Sequence, residues 1–247
     1  MDKIIKISLY LFIVILIVFT SVIAYQVATE TAYLNSLSST YSYKFTITTD
    51  SKLSNVTFFI PVPANPKGYS PIVAEYSARN IAGIPDDWTV TLYDTGKATM
   101  VRVVTPAINP PAGTSAANPF TLTLSSDMKS GTIINTREPV NNSAMFHTVR
   151  NLQPVTCQPA VPAGKGTPQC YQYITSLYAD YETAPGASVN ITSTIVGKNS
   201  WKIFESGSNE YATGTSLQMT GSRHDWETMT GTLTSGIGNY DTPLPST

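Results

Sequence analysis

The longest hydrophobic stretch of the chain lies close to its start, at residues 7–25 (ISLYLFIVILIVFTSVIAY). It contains no charged residue and offers no polar face, which argues against a helix buried in a soluble core. At 1.5 Å per residue, a helix of this length reaches about 28 Å, close to the ~30 Å hydrocarbon thickness of a bilayer. The pattern therefore predicts a single membrane-spanning helix.

The flanks of this stretch predict its orientation and leave one alternative open. Lys3 and Lys6 precede the stretch and the next basic residue is Lys44. The positive-inside rule therefore places residues 1–6 in the cytoplasm and the rest of the chain outside the cell. The alternative is a signal peptide, because the small residues near Ala24 would suit cleavage there and would release a secreted protein.

From residue 41 onward the hydrophobic pattern changes to period two, which is typical of half-buried β-strands. Turn residues separate these segments, and the clearest hairpin turns at 94–97, where Gly96 suits a positive φ angle. No amphipathic helix of useful length is predicted after residue 40. The alternating segments are 41–47, 56–62, 88–92, 100–104, 120–124, 171–181, 189–195, 201–204, 211–219 and 226–233.

Many short strands separated by glycine and proline predict a mainly β ectodomain, an antiparallel β-sandwich with one large or two small subdomains. In the last third of the chain, glycines are interpreted as turn punctuation. They are Gly186, Gly197, Gly207, Gly214, Gly221, Gly231, Gly236 and Gly238.

The same pattern divides the chain into segments. Residues 26–40 are polar and are interpreted as a stalk or a continuation of the membrane helix. The first β half covers 41–126 and the second covers 127–238, while 239–247 is predicted to be a flexible tail. The Pro-rich passage 105–119 is predicted to be a surface loop that cannot pair as a central strand.

Composition narrows the range of partners. Only 13% of the residues are charged, against a usual ~25%, and the net charge is −1. Without a basic cluster to neutralise phosphates, nucleic acid is not an expected partner. The expected partners are the membrane, through residues 7–25, and other envelope proteins or glycans.

Two cysteines and three sequons fit an extracellular location. Cys157 and Cys170 are predicted to form a structural disulfide around the loop 157–170, worth about 3 kcal/mol by loop entropy. Two free thiols are the alternative, and a zinc site is disfavoured because no further ligand has suitable spacing. Asn55, Asn141 and Asn190 begin Asn-x-Ser/Thr sequons and are candidate glycosylation sites.

The chain is poor in groups for catalysis. His147 and His224 are its two histidines, and it has no HExxH, GxSxG, Walker A or GxGxxG motif. The best local cluster is His224 with Asp225, but neighbouring residues on a strand point to opposite faces. We therefore interpret this pair as a turn before the last strand.

Acidic pairs offer a second source of chemistry. Asp86 and Asp87 are adjacent, while Asp180 and Glu182 share strand parity. Such carboxylates could bind calcium or act as a glycosidase pair, but no repeated calcium-loop pattern is present. They are interpreted as solvated turn carboxylates, and the sequence predicts no catalytic residue, no cofactor and no metal site.

The aromatic residues permit two interpretations. Tyrosine combines a large apolar ring with a polar tip, so it serves a sugar-stacking platform as well as a β core. Strand alternation favours the core. The residues concerned are Tyr171, Tyr173, Tyr178, Tyr181, Trp201 and Tyr211.

Four passages give the chain a family resemblance: SNVTFFIPVPANPKG, YDTGKATMVRV, YADYETAPGASVNITSTIVGKNSW and HDWETMTGTLTSGIGNY. They resemble uncharacterised archaeal surface proteins, particularly those of methanogens. The resemblance implies one N-terminal membrane segment and a β-rich extracellular domain, and it transfers no catalytic residue.

Together these features predict a non-catalytic cell-surface protein, either a structural envelope component or an adhesion or ligand-binding module. One alternative is an extracellular hydrolase acting on glycans. Another is a secreted subunit that forms filaments by strand exchange, with 26–40 or 239–247 as the donor segment.

Overall fold

A computed structural model of the chain describes residues 3–65, 68–94, 99–141, 145, 150–157 and 167–240. The chain begins with one long helix, α1 (Lys3–Ser36), which includes the apolar stretch and continues through 26–36. Among the described residues, α1 is the helix long and apolar enough to cross a membrane, a property that it shares with signal sequences.

In the described residues, ten β-strands, one short α-helix and one short 3-10 helix follow α1. The first five strands are β1 (Ser38–Thr49), β2 (Leu53–Pro61), β3 (Thr89–Asp94), β4 (Thr99–Ile108) and β5 (Phe120–Lys129), with α2 (Pro71–Ser77) between β2 and β3. A short 3-10 helix (Pro139–Asn141) precedes the second five. These are β6 (Arg150–Val155), β7 (Gln169–Glu182), β8 (Ser188–Lys202), β9 (Ser206–Thr220) and β10 (Arg223–Gly238).

The strands form one antiparallel sheet in the order β3-β4-β2-β7-β10-β9-β8-β1-β5. β6 pairs with the first part of β7, beyond the point where β2 pairs with the second part. The two end strands, β3 and β5, both contact α2, and Ala82 bridges to Ser125 of β5. The sheet therefore curls back on itself, and segments from both halves of the sequence interleave within it.

The core lies inside this curl and follows the alternation of the strands. In β1, for example, Tyr43, Phe45 and Ile47 are buried while the residues between them are more exposed. The prediction of a mainly β, antiparallel domain after an N-terminal helix is confirmed. The core interpretation is also confirmed for three of the tyrosines and the tryptophan: Tyr173, Tyr181, Tyr211 and Trp201 are all buried.

Three local predictions differ from the structure. The sequence does not predict helix α2, because seven residues are too short to show a helical period. β4 extends into the predicted loop 105–119 as far as Ile108. The ladder between β2 and β4 has no pair at Asn55 (φ 54°), opposite Pro106, which has no N–H group to donate to a neighbouring strand. Residues 201–204 are no separate strand, since Trp201 lies at the end of β8 and 203–205 turn towards β9.

The hairpin predicted around Gly96 is present as β3 and β4, while the turn itself lies outside the described residues. At the tail, Asn239 N–H donates to the Ser208 carbonyl and the Tyr240 hydroxyl lies 2.8 Å from Thr136 Oγ1. The remaining tail residues, 241–247, are outside the described part.

Buried tyrosines lead to a prediction at high pH. Burial raises the pKa of Tyr43 to about 12, outweighing its hydrogen bond with Tyr76, and burial also raises the pKa of Tyr76. The neutral phenols contribute stability that is complete below pH ~10 and is lost as the pH rises through ~12.

We expect the melting temperature to be flat near neutrality and to fall steeply above pH ~10, with a shallower fall for Tyr43→Phe. Ultraviolet absorbance of tyrosinate measured through the melt checks this, and Tyr69→Phe is the control because Tyr69 is exposed. Reversible ionisation of all tyrosines near pH ~10 without unfolding would contradict it.

Candidate ligand-binding surface

Aromatic side chains line up on the outer face of the sheet, where alternation would place polar residues. In β2, Phe58 faces the core and its neighbour Phe59 faces outward. The register places Phe59 opposite Tyr178 of β7, and Tyr178 opposite Trp226 of β10. Three consecutive strands therefore present one ring each in a single row.

A fourth ring extends the row towards the edge of the sheet. Tyr93 of β3 packs against Phe59 with ring centroids 4.9 Å apart. Tyr178 lies 5.3 Å from Phe59 and 5.5 Å from Trp226, both in edge-to-face geometry, and Phe59 also contacts Trp226 at 6.2 Å. We call these four residues, Phe59, Tyr93, Tyr178 and Trp226, the aromatic platform.

The platform is open to solvent. Tyr93 and Trp226 are each 47% exposed, whereas Phe59 and Tyr178 are half-buried between them. The mutual ring contacts hold the inner rings in place, so two broad apolar surfaces face outward on a rigid sheet. These exposed rings lie on the face of the sheet opposite the core, and we take them as a candidate interaction surface.

Hydrogen-bonding groups border the platform on the same face. One register step from Tyr178 and Trp226, Asp180 and His224 lie directly opposite each other, with 2.7 Å between Asp180 Oδ1 and His224 Nδ1. Thr57 is the partner of Asp180 on the other side. Arg102, the cross-strand partner of Phe59, adds a guanidinium group beside the rings.

The residues singled out in the sequence lie as follows. His224 and Asp225 are inside β10, so their interpretation as a turn is wrong, and the partner of His224 is Asp180 from the neighbouring strand. Asp180 and Glu182 are strand residues of β7, not turn carboxylates. Asp86 and Asp87 do lie in a turn, as predicted.

His147 lies outside the described residues, as does the side chain of Asn141. Asn55 is exposed and Asn190 is half-buried, and glycosylation of the three sequons stays a prediction. The described residues contain no group of three or more His, Cys, Asp or Glu side chains that could hold a metal ion. The predicted disulfide is present between Cys157 and Cys170, with an S–S distance of 2.07 Å.

Sequence reasoning misses most of the platform, since it considers only Tyr178. A signal is available in the residue order: the Phe58-Phe59 doublet breaks alternation, so one phenylalanine must face outward. Trp226 gives the same signal in β10, because the buried positions Met229 and Leu233 have the opposite parity. The register that joins these rings cannot be read from the sequence.

Comparison with known proteins adds no family to these observations. No protein-family model matches the chain, and no curated protein and no solved structure shows significant similarity to it. The fold and the surface define a class by themselves: a mainly β antiparallel domain, preceded by a long apolar helix, with an aromatic row on its outer face.

Proposed function

We propose that the protein is a non-catalytic, membrane-anchored surface protein that binds glycans through the aromatic platform. The observation that carries this proposal is the row of Phe59, Tyr178 and Trp226 on three paired strands, with Tyr93 beside it. Such rings serve no core when they face solvent, so they favour a ligand-binding role over a purely structural one.

The chemistry of the platform favours a sugar ligand. Aromatic faces pack against the C–H surface of a pyranose ring, and nearby hydroxyl, carboxylate and imidazole groups can exchange hydrogen bonds with its hydroxyls. Thr57, Asp180 and His224 supply such groups one register step from the rings. The Phe59 ring lies 4.9 Å from Tyr93 and 6.2 Å from Trp226, so the four rings form a compact cluster that suits stacking on one or two sugar units of an oligosaccharide.

A protein partner fits the platform less well. A stable protein interface buries about 800 Å² on each side around an apolar centre. Here two side chains are about half exposed, and each offers roughly 100 Å². Thr57, Thr91 and Arg102 are neighbours of the rings on this face, so polar side chains border the exposed apolar area there.

The location in this proposal rests on α1 and its flanking charges. Lys3 and Lys6 precede the apolar stretch, which supports a cytoplasmic start and an extracellular β domain. Retention of the helix as an anchor agrees with its length, because the apolar run is longer than the ~7–15 residues of a usual signal peptide.

The experiment is a binding assay with the full chain in nanodiscs. The probes are hexasaccharides of mannose, glucose and N-acetylglucosamine, and the readout is calorimetry. One of these series should bind, and Trp226→Ala should weaken it about tenfold, since truncating an aromatic anchor of a binding site costs more than about 1 kcal/mol and each ~1.4 kcal/mol is a factor of ten in affinity. Tyr93→Ala should also weaken binding, to a smaller extent.

The matched control is Tyr69→Ala, which removes an exposed tyrosine from outside the platform and should leave the affinity unchanged. Equal affinities for Trp226→Ala, Tyr69→Ala and the original protein would reject the platform as the binding site. Release of new reducing ends during the assay would show that the protein cleaves the glycan, and would favour the hydrolase alternative over a binding role.

A further inference from the structure

The turn between β8 and β9 contacts the part of α1 that follows the apolar stretch. The contacts involve residues 200–207 on one side and residues 25–36 on the other, which belong to one compact unit. Tyr33 packs edge-to-face on Trp201 with ring centroids 5.6 Å apart, and both side chains are buried. Lys202 N–H donates to Ser36 Oγ at 2.9 Å.

These contacts fix the turn beside the helix. The same Ser36 hydroxyl lies 2.8 Å from the Lys202 carbonyl oxygen, so the backbone of Lys202 is held at both its N–H and its C=O. Gly207 lies beneath the Trp201 indole, where a Cβ atom would be 2.5 Å from Nε1. The close approach of the glycine lets the indole occupy its place between the turn and Tyr33.

Beyond this buried contact, the turn reaches towards the end of the apolar stretch. Phe204 stacks on Tyr25 with nearly parallel rings, at 12° and 6.2 Å between centroids. Tyr25 is the last residue of the apolar run, and eight residues, or about 12 Å of helix, separate it from Tyr33. Phe204 therefore lies at the level where the apolar run ends.

Phe204 remains exposed in this position. It is 72% exposed and Tyr25 is 61% exposed, so the stacked pair hides little of either ring. A large apolar side chain that is exposed at the tip of a polar hairpin would gain free energy by leaving water for an apolar environment. Tyrosine rings at the ends of membrane helices lie at the lipid–water interface, and phenylalanine inserts into the same layer from segments that lie on the membrane surface. A neighbouring lysine can extend its ammonium group towards the headgroups.

We propose that the β8–β9 turn is a second membrane contact, in which Phe204 and Tyr25 enter the interfacial layer of the same bilayer that α1 crosses. The occupant of this surface is lipid, because the exposed pair is continuous with the apolar surface of the helix. Lys202, which is exposed beside it, lies where anionic headgroups would attract it. The inference rests on the proposed membrane anchor, and the experiment separates the two.

The test measures the depth of three spin labels in the full chain, reconstituted in nanodiscs of phosphatidylcholine and phosphatidylglycerol. Labels are attached at Phe204→Cys, Phe19→Cys and Gln218→Cys. Labelling is specific because both native cysteines are in the disulfide. Collision with oxygen reports lipid, and collision with a water-soluble nickel chelate reports solvent.

The Phe204 label is expected to show an oxygen-to-nickel ratio several-fold above that of Gln218, an exposed polar position of β9, and below that of Phe19. A Phe204 ratio equal to that of Gln218, with Phe19 deep in lipid, would overturn the second contact and leave the anchor intact. Dipolar broadening at Phe204 with low access to both reagents would show that another copy covers it, which also overturns the proposal. A solvent-exposed Phe19 label would reject the anchor, and the second contact with it.

Discussion

Replacing Asn199 with leucine is expected to lower the free energy of unfolding by about 3–5 kcal/mol, because the substitution strands several buried polar groups at once. Asn199 is completely buried in β8. Its side-chain oxygen accepts hydrogen bonds from Ser39 Oγ at 2.6 Å and from Ile134 N–H at 3.1 Å. Its amide nitrogen donates to the Ile134 carbonyl and to Asn209 Oδ1, at 2.8 and 2.9 Å.

The network continues beyond Asn199. Asn209, also completely buried, accepts a hydrogen bond from Thr136 Oγ1 at 2.7 Å and donates to the Asn239 carbonyl. Two asparagines on neighbouring strands thus provide the hydrogen bonds for an irregular segment around residues 134–136, which has no ladder of its own. Replacing one of them by an apolar residue exposes no new apolar surface, so the expected loss of stability comes from buried polar groups that lose their hydrogen-bond partner.

Urea unfolding of protein made in a host that does not glycosylate would measure this effect, and Asn190→Leu is the matched control. Asn190 lies on the same strand but is half-buried on the outer face, so its replacement should change stability by less than about 0.5 kcal/mol. A loss for Asn199→Leu of the same small size would mean that water satisfies the network.

For Asn199, the sequence predicts burial but not the hydrogen-bond partners. Val189, Ile191 and Ile195 place the odd-numbered positions of β8 inside, so the alternation assigns Asn199 to the core. Its partners cannot be assigned in the same way, because Ile134 is 65 residues away in a segment without periodicity. Burial parity is a local property of one strand, whereas a hydrogen-bond partner depends on the assembled sheet.

In the aromatic platform, too, the direction of each side chain can be predicted from its own strand, whereas its neighbours on other strands cannot. The outward direction of Phe59, Tyr178 and Trp226 is set within each strand, but their row depends on β2, β7 and β10 being neighbours. β2 and β7 are far apart in the sequence, and loop closure gives no preference for this pairing over others. The His224–Asp180 pair depends on the same register and escapes sequence reasoning for the same reason.

The sequence interpretation is also wrong for glycines that lie inside strands. The interpretation of Gly197 and Gly231 as turn residues is wrong, because they lie within β8 and β10. The reason is a large ring from the neighbouring strand that covers each of them. Tyr211 lies over Gly197, and Tyr173, the cross-strand partner of Gly231, lies over Gly231. Glycine weakens a strand by itself, and an aromatic ring packed on it compensates.

Gly231→Ala should therefore destabilise the protein by about 2–3 kcal/mol, because the new methyl group occupies the place of a buried ring. A Cβ atom at Gly231 would lie 2.3 Å from Cε2 of Tyr173. The ring cannot move aside freely, since Tyr173 is buried and its hydroxyl lies 2.6 Å from Thr213 Oγ1. Gly131→Ala is the control, as its Cβ would meet nothing within 4 Å. Urea unfolding of both variants gives the comparison, and equal stabilities would show that the ring shifts without cost. In that case Tyr173 would be a loosely packed side chain, and the glycine in β10 would need another explanation than the ring above it.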